Sequence, residues 1–168
     1  CYQLGVVTIN GVSTTATIYS TAFTSCDKLF EIYNLSNWSI TVGSSSFGSI
    51  ASNALIVNKI ATAPRLKTET INGLTFKYND SVCGLVDYAG WESKVELKEY
   101  TIGGKKVSSY VVVKYAFDQS DYIDELVNTN AVSQIRQFAF SDVGRISLVK
   151  FDGAKISLKN RANLLNLT

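Results

Sequence analysis

Histidine is absent from all 168 residues. That excludes Ser-His-Asp and Cys-His nucleophile arrangements and most catalytic zinc sites. Methionine is absent too, so an initiator, and on the export reading a whole leader, is expected to have preceded Cys1. Charge is scarce: Asp, Glu, Lys and Arg make up 18% of the chain, against a usual figure of about 25%. Ser, Thr, Asn and Tyr must solvate the surface, a composition that favours an exported protein at the cell surface. The 16 basic and 14 acidic residues are scattered, without the basic stripe that follows a phosphate backbone, so nucleic acid is not an expected partner. Every apolar stretch is interrupted within a few positions, well short of the roughly 18 residues needed to read as a membrane-spanning helix.

The three cysteines, Cys1, Cys26 and Cys83, have no C-x-x-C or other metal spacing, so no cofactor or metal is expected of them. In an exported chain they predict one disulfide, Cys26 with Cys83, because both lie in the strand-rich body. Cys1 is left for an intersubunit bridge, a lipid anchor or a thiol. Buried thiols throughout are the alternative. "TIGGKKV" lacks the spacing of a phosphate loop. Asp118, Asp121, Asp124 and Glu125 lack the alternating ligands of a calcium loop and read as acidic residues at a helix start. No carboxylate pair stands out as a hydrolytic site, and no enzyme is expected.

Strand signals dominate what is present. "VSTTATIY" (12–19) alternates, "WSITV" (38–42) is β-branched, and "SSYVVVKYAF" (108–117) reads as a central strand. Asn72-Gly73, Gly103-Gly104 and Asp152-Gly153 each fall between strand-like runs and predict two-residue hairpins. Only residues 118–138 look helical, with Tyr122, Ile123, Leu126 and Val127 at helical spacing and Asp118 or Ser120 as cap. The predicted fold is all-β: an antiparallel, Ig-like Greek-key β-sandwich with one short helix and no internal repeat. Of the 30 charged residues, only Asp27, Lys28 and Glu31 lie in the first 58, and Pro64-Arg65 marks the start of the charged part.

Residues 1–26 carry no charge at all. Leu4 and Val6, then Val12, Ala16 and Ile18, alternate with small or polar residues, and nothing in the segment protects a strand edge. Such a strand must be paired. Either it forms the first strands of its own sheet, or it is an extension that completes the sheet of a neighbouring copy, with those five side chains filling pockets and residues 27–168 as the head domain. Four N-x-[ST] sequons, at Asn34, Asn37, Asn79 and Asn166, offer glycan sites in an exported chain.

An uncharged N-terminal extension on a charge-poor, sequon-bearing β-domain resembles the donor-strand-complemented thread or pilus-like filament subunits of archaea. The resemblance implies a glycosylated extracellular homopolymer built head to tail. Two further readings compete: a monomeric secreted or surface-anchored binding or adhesin module using an exposed aromatic such as Trp38 or Trp91, and a viral coat protein. Burial is the ordinary reading for each tryptophan, and size in native solution separates the first two readings, fibres or a ladder favouring donation and a single small species the module.

Overall fold

The computed structural model describes residues 3–10, 23, 25–36, 54–58, 65–118, 120–129, 131–136, 138–141, 143, 146, 148–151 and 157–158. The chain forms two compact units, Cys1–Leu66 and Lys67–Thr168. The division falls where the charged part of the sequence begins.

In the first unit, β1 (Val6–Ile9), β2 (Glu31–Asn34) and β3 (Ile56–Asn58) form one sheet in that order. Both ladders are parallel, Val6 facing Glu31 and Glu31 facing Ile56, so the chain returns to the same register every twenty-five residues. Leu4, Val7 and Ile9 pack against a buried cluster of Cys26, Leu29, Ile32 and Ala54. On β1 it is Val7 and Ile9, the phase opposite to Val6, that point into this unit's own core. On β2 the opposite face is buried as well. Glu31, 2% exposed, accepts hydrogen bonds from the Tyr33 hydroxyl at 2.7 Å and the Leu66 amide at 3.3 Å. Arg65 lies 3.9 Å from the same carboxylate and over the Tyr33 ring. Burial, reinforced by Glu31, pushes the Tyr33 hydroxyl up to about 12.

The second unit opens with an antiparallel meander, β4 (Lys67–Ile71), β5 (Leu74–Tyr78) and β6 (Cys83–Tyr88). The Asn72-Gly73 turn joins β4 to β5 with both residues at positive φ, 50° and 79°, as the two-residue hairpin predicted there requires. After β6 the chain changes habit. β7 (Lys94–Leu97), the hairpin β8 (Tyr100–Ile102) and β9 (Lys105–Val107), then β10 (Tyr110–Val112), β11 (Glu125–Asn128), β12 (Val132–Ile135), β13 (Leu148–Phe151) and β14 (Ser157–Leu158) follow. Even members β10, β12 and β14 extend the sheet that begins at β6; odd members β11 and β13 stack on β7. All of these ladders are parallel.

The pattern is a parallel β-helix. Parallel neighbours need a long crossover, and here each crossover is the strand of the other sheet. Gln134 faces Ser157 and Leu126 faces Val149, the same twenty-three-residue step in both sheets. Successive turns therefore stack like side chains on like: Leu85, Val112 and Ile135 form one fully buried column, and Val95 and Leu126 pair in the other sheet. Rings do the same at a corner, where Tyr88, Phe117 and Phe140 follow one another at 5.5 and 4.9 Å.

Several expectations are thereby corrected. The fold is all-β, but of the ten described ladders only three are antiparallel, because most strands meet their neighbours one whole turn later instead of across a tight turn. The antiparallel sandwich does not describe that arrangement. No helix occurs over 118–138 among the described residues: β11 and β12 occupy it, and Leu126 and Asn128 are drawn into the interior by ladders on both sides, with Ile123 buried just ahead of them. The strands flanking Asp152-Gly153 lie in different sheets, so they do not make the hairpin expected of them; the turn itself lies outside the described residues. Runs 12–19 and 38–42 also lie outside them. An internal repeat does exist, "YAF" at 115–117 returning as "FAF" at 138–140.

Candidate functional site

The site is built where β6 hands over to β7. Tyr88 ends β6 and is buried against Phe117. The Asn72-Gly73 turn is fastened above it by the Ala89 amide, which donates to the Gly73 carbonyl at 2.9 Å. Gly73 and Gly90 then meet backbone to backbone: a Cβ on Gly73 would lie 2.6 Å from the Gly90 Cα, and one on Gly90 would collide with the Tyr88 ring. Two glycines are required because only bare backbone fits this approach.

With residue 90 pressed inward and lacking a side chain, the next residue is thrown outward. Trp91 is 74% exposed. One turn later the Asp124 and Glu125 amides donate to the Ser93 carbonyl at 2.7 and 2.9 Å, and this brings Tyr122, itself 47% exposed, against the indole. The ring centroids are 4.6 Å apart with planes 53° from parallel. An isolated exposed aromatic is ordinary, whereas two large aromatics packed together in solvent are informative.

Trp91 forms the lip of a cleft of about 610 Å³, inside the range of roughly 300–1,000 Å³ usual for small-molecule sites. Its floor includes Gly73, Tyr88 and Gly90, and its rim carries Glu92, Lys94, Glu96 and Lys98. The rim charges are tied to one another. Lys98 lies 2.9 Å from Glu96, and Lys94 lies 3.6 Å from Glu96 and 4.0 Å from Glu125. The Lys98 hydrogen bond and charge, helped by Lys94, hold the Glu96 carboxyl below the ordinary carboxylate range. The Tyr88 hydroxyl lies near the Glu92 main chain yet makes no hydrogen bond of normal geometry among the described residues. Burial is the main influence pushing it up from the ordinary tyrosine value. A buried, unpartnered hydroxyl of this kind costs about 1–3 kcal/mol.

The residues lining the cleft include no cysteine, serine or threonine. Among the described residues no group of three or more carboxylates and cysteines is arranged to hold a metal, Asp118, Asp121, Asp124 and Glu125 included. No helix among them is long and apolar enough to cross a membrane.

The remaining expected sites fare differently. Of the pair expected to bridge, Cys26 is buried and Cys83 half-buried. Cys26 belongs to the apolar cluster of the first unit, while Cys83 begins β6 of the second, where burial pushes it up to about 11. Asn34 is fully buried, its Oδ1 accepting from the Ser36 amide at 3.1 Å and from the Ser36 hydroxyl. Asn79 is half-buried in the β5–β6 turn, its Oδ1 accepting from the amides of Ser81 and Val82 at 2.8 and 3.0 Å. Asn37, Asn166, Trp38, Val12, Ala16 and Ile18 lie outside the described residues. Leu4 and Val6 lie in the first unit, Val6 in β1 and paired in-chain with β2, the own-sheet alternative for that part of the opening segment. Tyr122, Tyr88 and Gly90 were not legible as site residues; Tyr122 had been absorbed into a helical pattern. No protein-family model, no curated protein and no solved structure matches the chain.

Proposed function

We propose that the chain is a non-enzymatic recognition module of the cell surface or extracellular space, holding saccharides in the Trp91 cleft. The observation that carries this reading is the packed, exposed Trp91–Tyr122 pair at the lip of a cleft with a polar rim. A sugar ring presents C–H groups on one face and hydroxyls at its edge. An aromatic face beside hydroxyl-bonding side chains is the complementary surface, apolar on one side and wet on the other. The β-helix beneath supplies rigidity, because both rings sit just ahead of strands paired in the β7–β11 ladder. The pairing of β1 with β2 within the chain weighs against polymerisation by donation of that strand.

Affinity electrophoresis through gels containing dissolved polysaccharides tests the reading. A panel member that retards the full chain, with retardation lost in Trp91→Ala at unchanged thermal stability, is the expected result. Migration indifferent to every polysaccharide in the panel overturns it.

A further inference from the structure

Resting on that reading, we infer that the saccharide is uncharged: a neutral pyranose glycan stacked on Trp91, with its hydroxyls bonded by the Glu92, Lys94, Glu96 and Lys98 rim. Two features of the rim lead there. Its carboxylates and ammonium groups balance, two of each, so the cleft presents no net charge to attract a carboxylated or sulfated sugar. Its cations are also already engaged. Lys98 is bonded to Glu96, and Lys94 is shared between Glu96 and Glu125. An anionic ligand would have to displace those carboxylates to reach an ammonium, trading one ion pair for another while leaving Glu96 beside the incoming negative charge. A neutral hydroxyl needs no such exchange. It donates to a carboxylate or accepts from an ammonium that keeps its partner, and hydrogen bonds to charged groups are the stronger kind.

Tyr122 touches the indole from outside the cleft lining and serves as a positioning residue that fixes the tilt of Trp91.

Calorimetric titration of the full chain separates the possibilities, using neutral oligohexosides on one side and oligouronates or sulfated oligosaccharides on the other. Each is run at about 0.01 M and about 1 M NaCl, between which the screening length falls from roughly 30 to 3 Å. The expected result is binding of a neutral oligohexoside whose affinity changes by less than about threefold with salt. Trp91→Ala should weaken it at least about tenfold, the equivalent of one lost stacking contact. Tyr122→Ala should weaken it less, while loosening the indole in fluorescence anisotropy. Binding confined to the anionic sugars, falling steeply with salt, overturns the inference and leaves the recognition reading standing. Failure of both sugar classes to bind overturns the recognition reading as well.

Discussion

Phe117 stacks on Phe140, the ring centroids 4.9 Å apart and the planes 24° from parallel, although twenty-three residues separate them along the chain. Tyr88 lies on the other side of Phe117 at 5.5 Å. The three rings hold consecutive turns of the β-helix in line, and Phe117 is fully buried at the centre. Phe117→Ala should therefore destabilise the chain by about 3–5 kcal/mol, and Phe117→Leu by far less. Urea unfolding monitored by circular dichroism measures both; a loss below about 1 kcal/mol for the alanine variant would show that the column carries little weight.

Tyr88→Phe removes a buried hydroxyl that has no hydrogen bond of normal geometry among the described residues and leaves the ring in place. Its expected effect on unfolding free energy is neutral or stabilising, by about 1 kcal/mol. A clear loss of stability would mean that the hydroxyl has a partner in solution.

Gly73→Ala places a Cβ against the Gly90 backbone at a residue whose φ is +79°. Strain at such a position costs on the order of 1–3 kcal/mol, and the collision adds to it. Because the displaced segment carries Trp91, the tryptophan emission should also shift. Unchanged emission together with unchanged stability would contradict the close approach.

Alkaline pH should destabilise the protein. Burial pushes Cys83 up to about 11 from an ordinary 9.0, and Tyr33 and Tyr100 up to about 12 from 10.0; Tyr110 is raised further. The folded chain then holds protons that the unfolded chain releases, so stability is full below about pH 9 and falls as pH climbs from 9 toward 12. Melting temperatures measured across pH 8–12 should stay level up to about pH 9 and decline from there toward pH 12. A flat profile would place these hydroxyls in water.

If the exported protein is glycosylated, Asn34 should remain unmodified when peptides of the native protein are mapped, because its side chain is enclosed beside Ser36. Asn79, in its half-buried turn, is the described sequon at which a glycan can reach solvent. A glycan on Asn34 would require β2 to open.

Local signals in the sequence were legible and long-range ones were not. Asn72-Gly73 and Gly103-Gly104 specify their hairpins because positive φ is a property of the residues themselves. Strand character at 110–112 was readable from β-branching and from Tyr110 and Val112 facing inward. Parallel pairing was not, since Val112 meets Leu85 and Ile135 and a strand buried on two sides reads alike in either orientation. Around 122–127 the apolar residues fit a helical stripe as well as they fit a strand with an inward kink. The ladders on either side of β11 settled the choice. The "YAF" and "FAF" triplets announced the turn length, but two degenerate copies one turn apart are a faint signal. Trp91 was a candidate by residue type; its exposure depends on Gly90 pressing against Tyr88, a relation invisible without coordinates.

The 4.6 Å between the Trp91 and Tyr122 rings is close to the roughly 4.7–4.9 Å that separates hydrogen-bonded strands. Both side chains are borne just ahead of β7 and β11, so the ladder, more than the rings, sets their distance. The pair is consequently a built-in strain gauge. If the turn holding β11 slips or frays from β7 while the rest of the β-helix stays intact, the indole loses its neighbour before any global unfolding occurs. Tryptophan emission then reports a partial opening that melting of the whole chain would conceal.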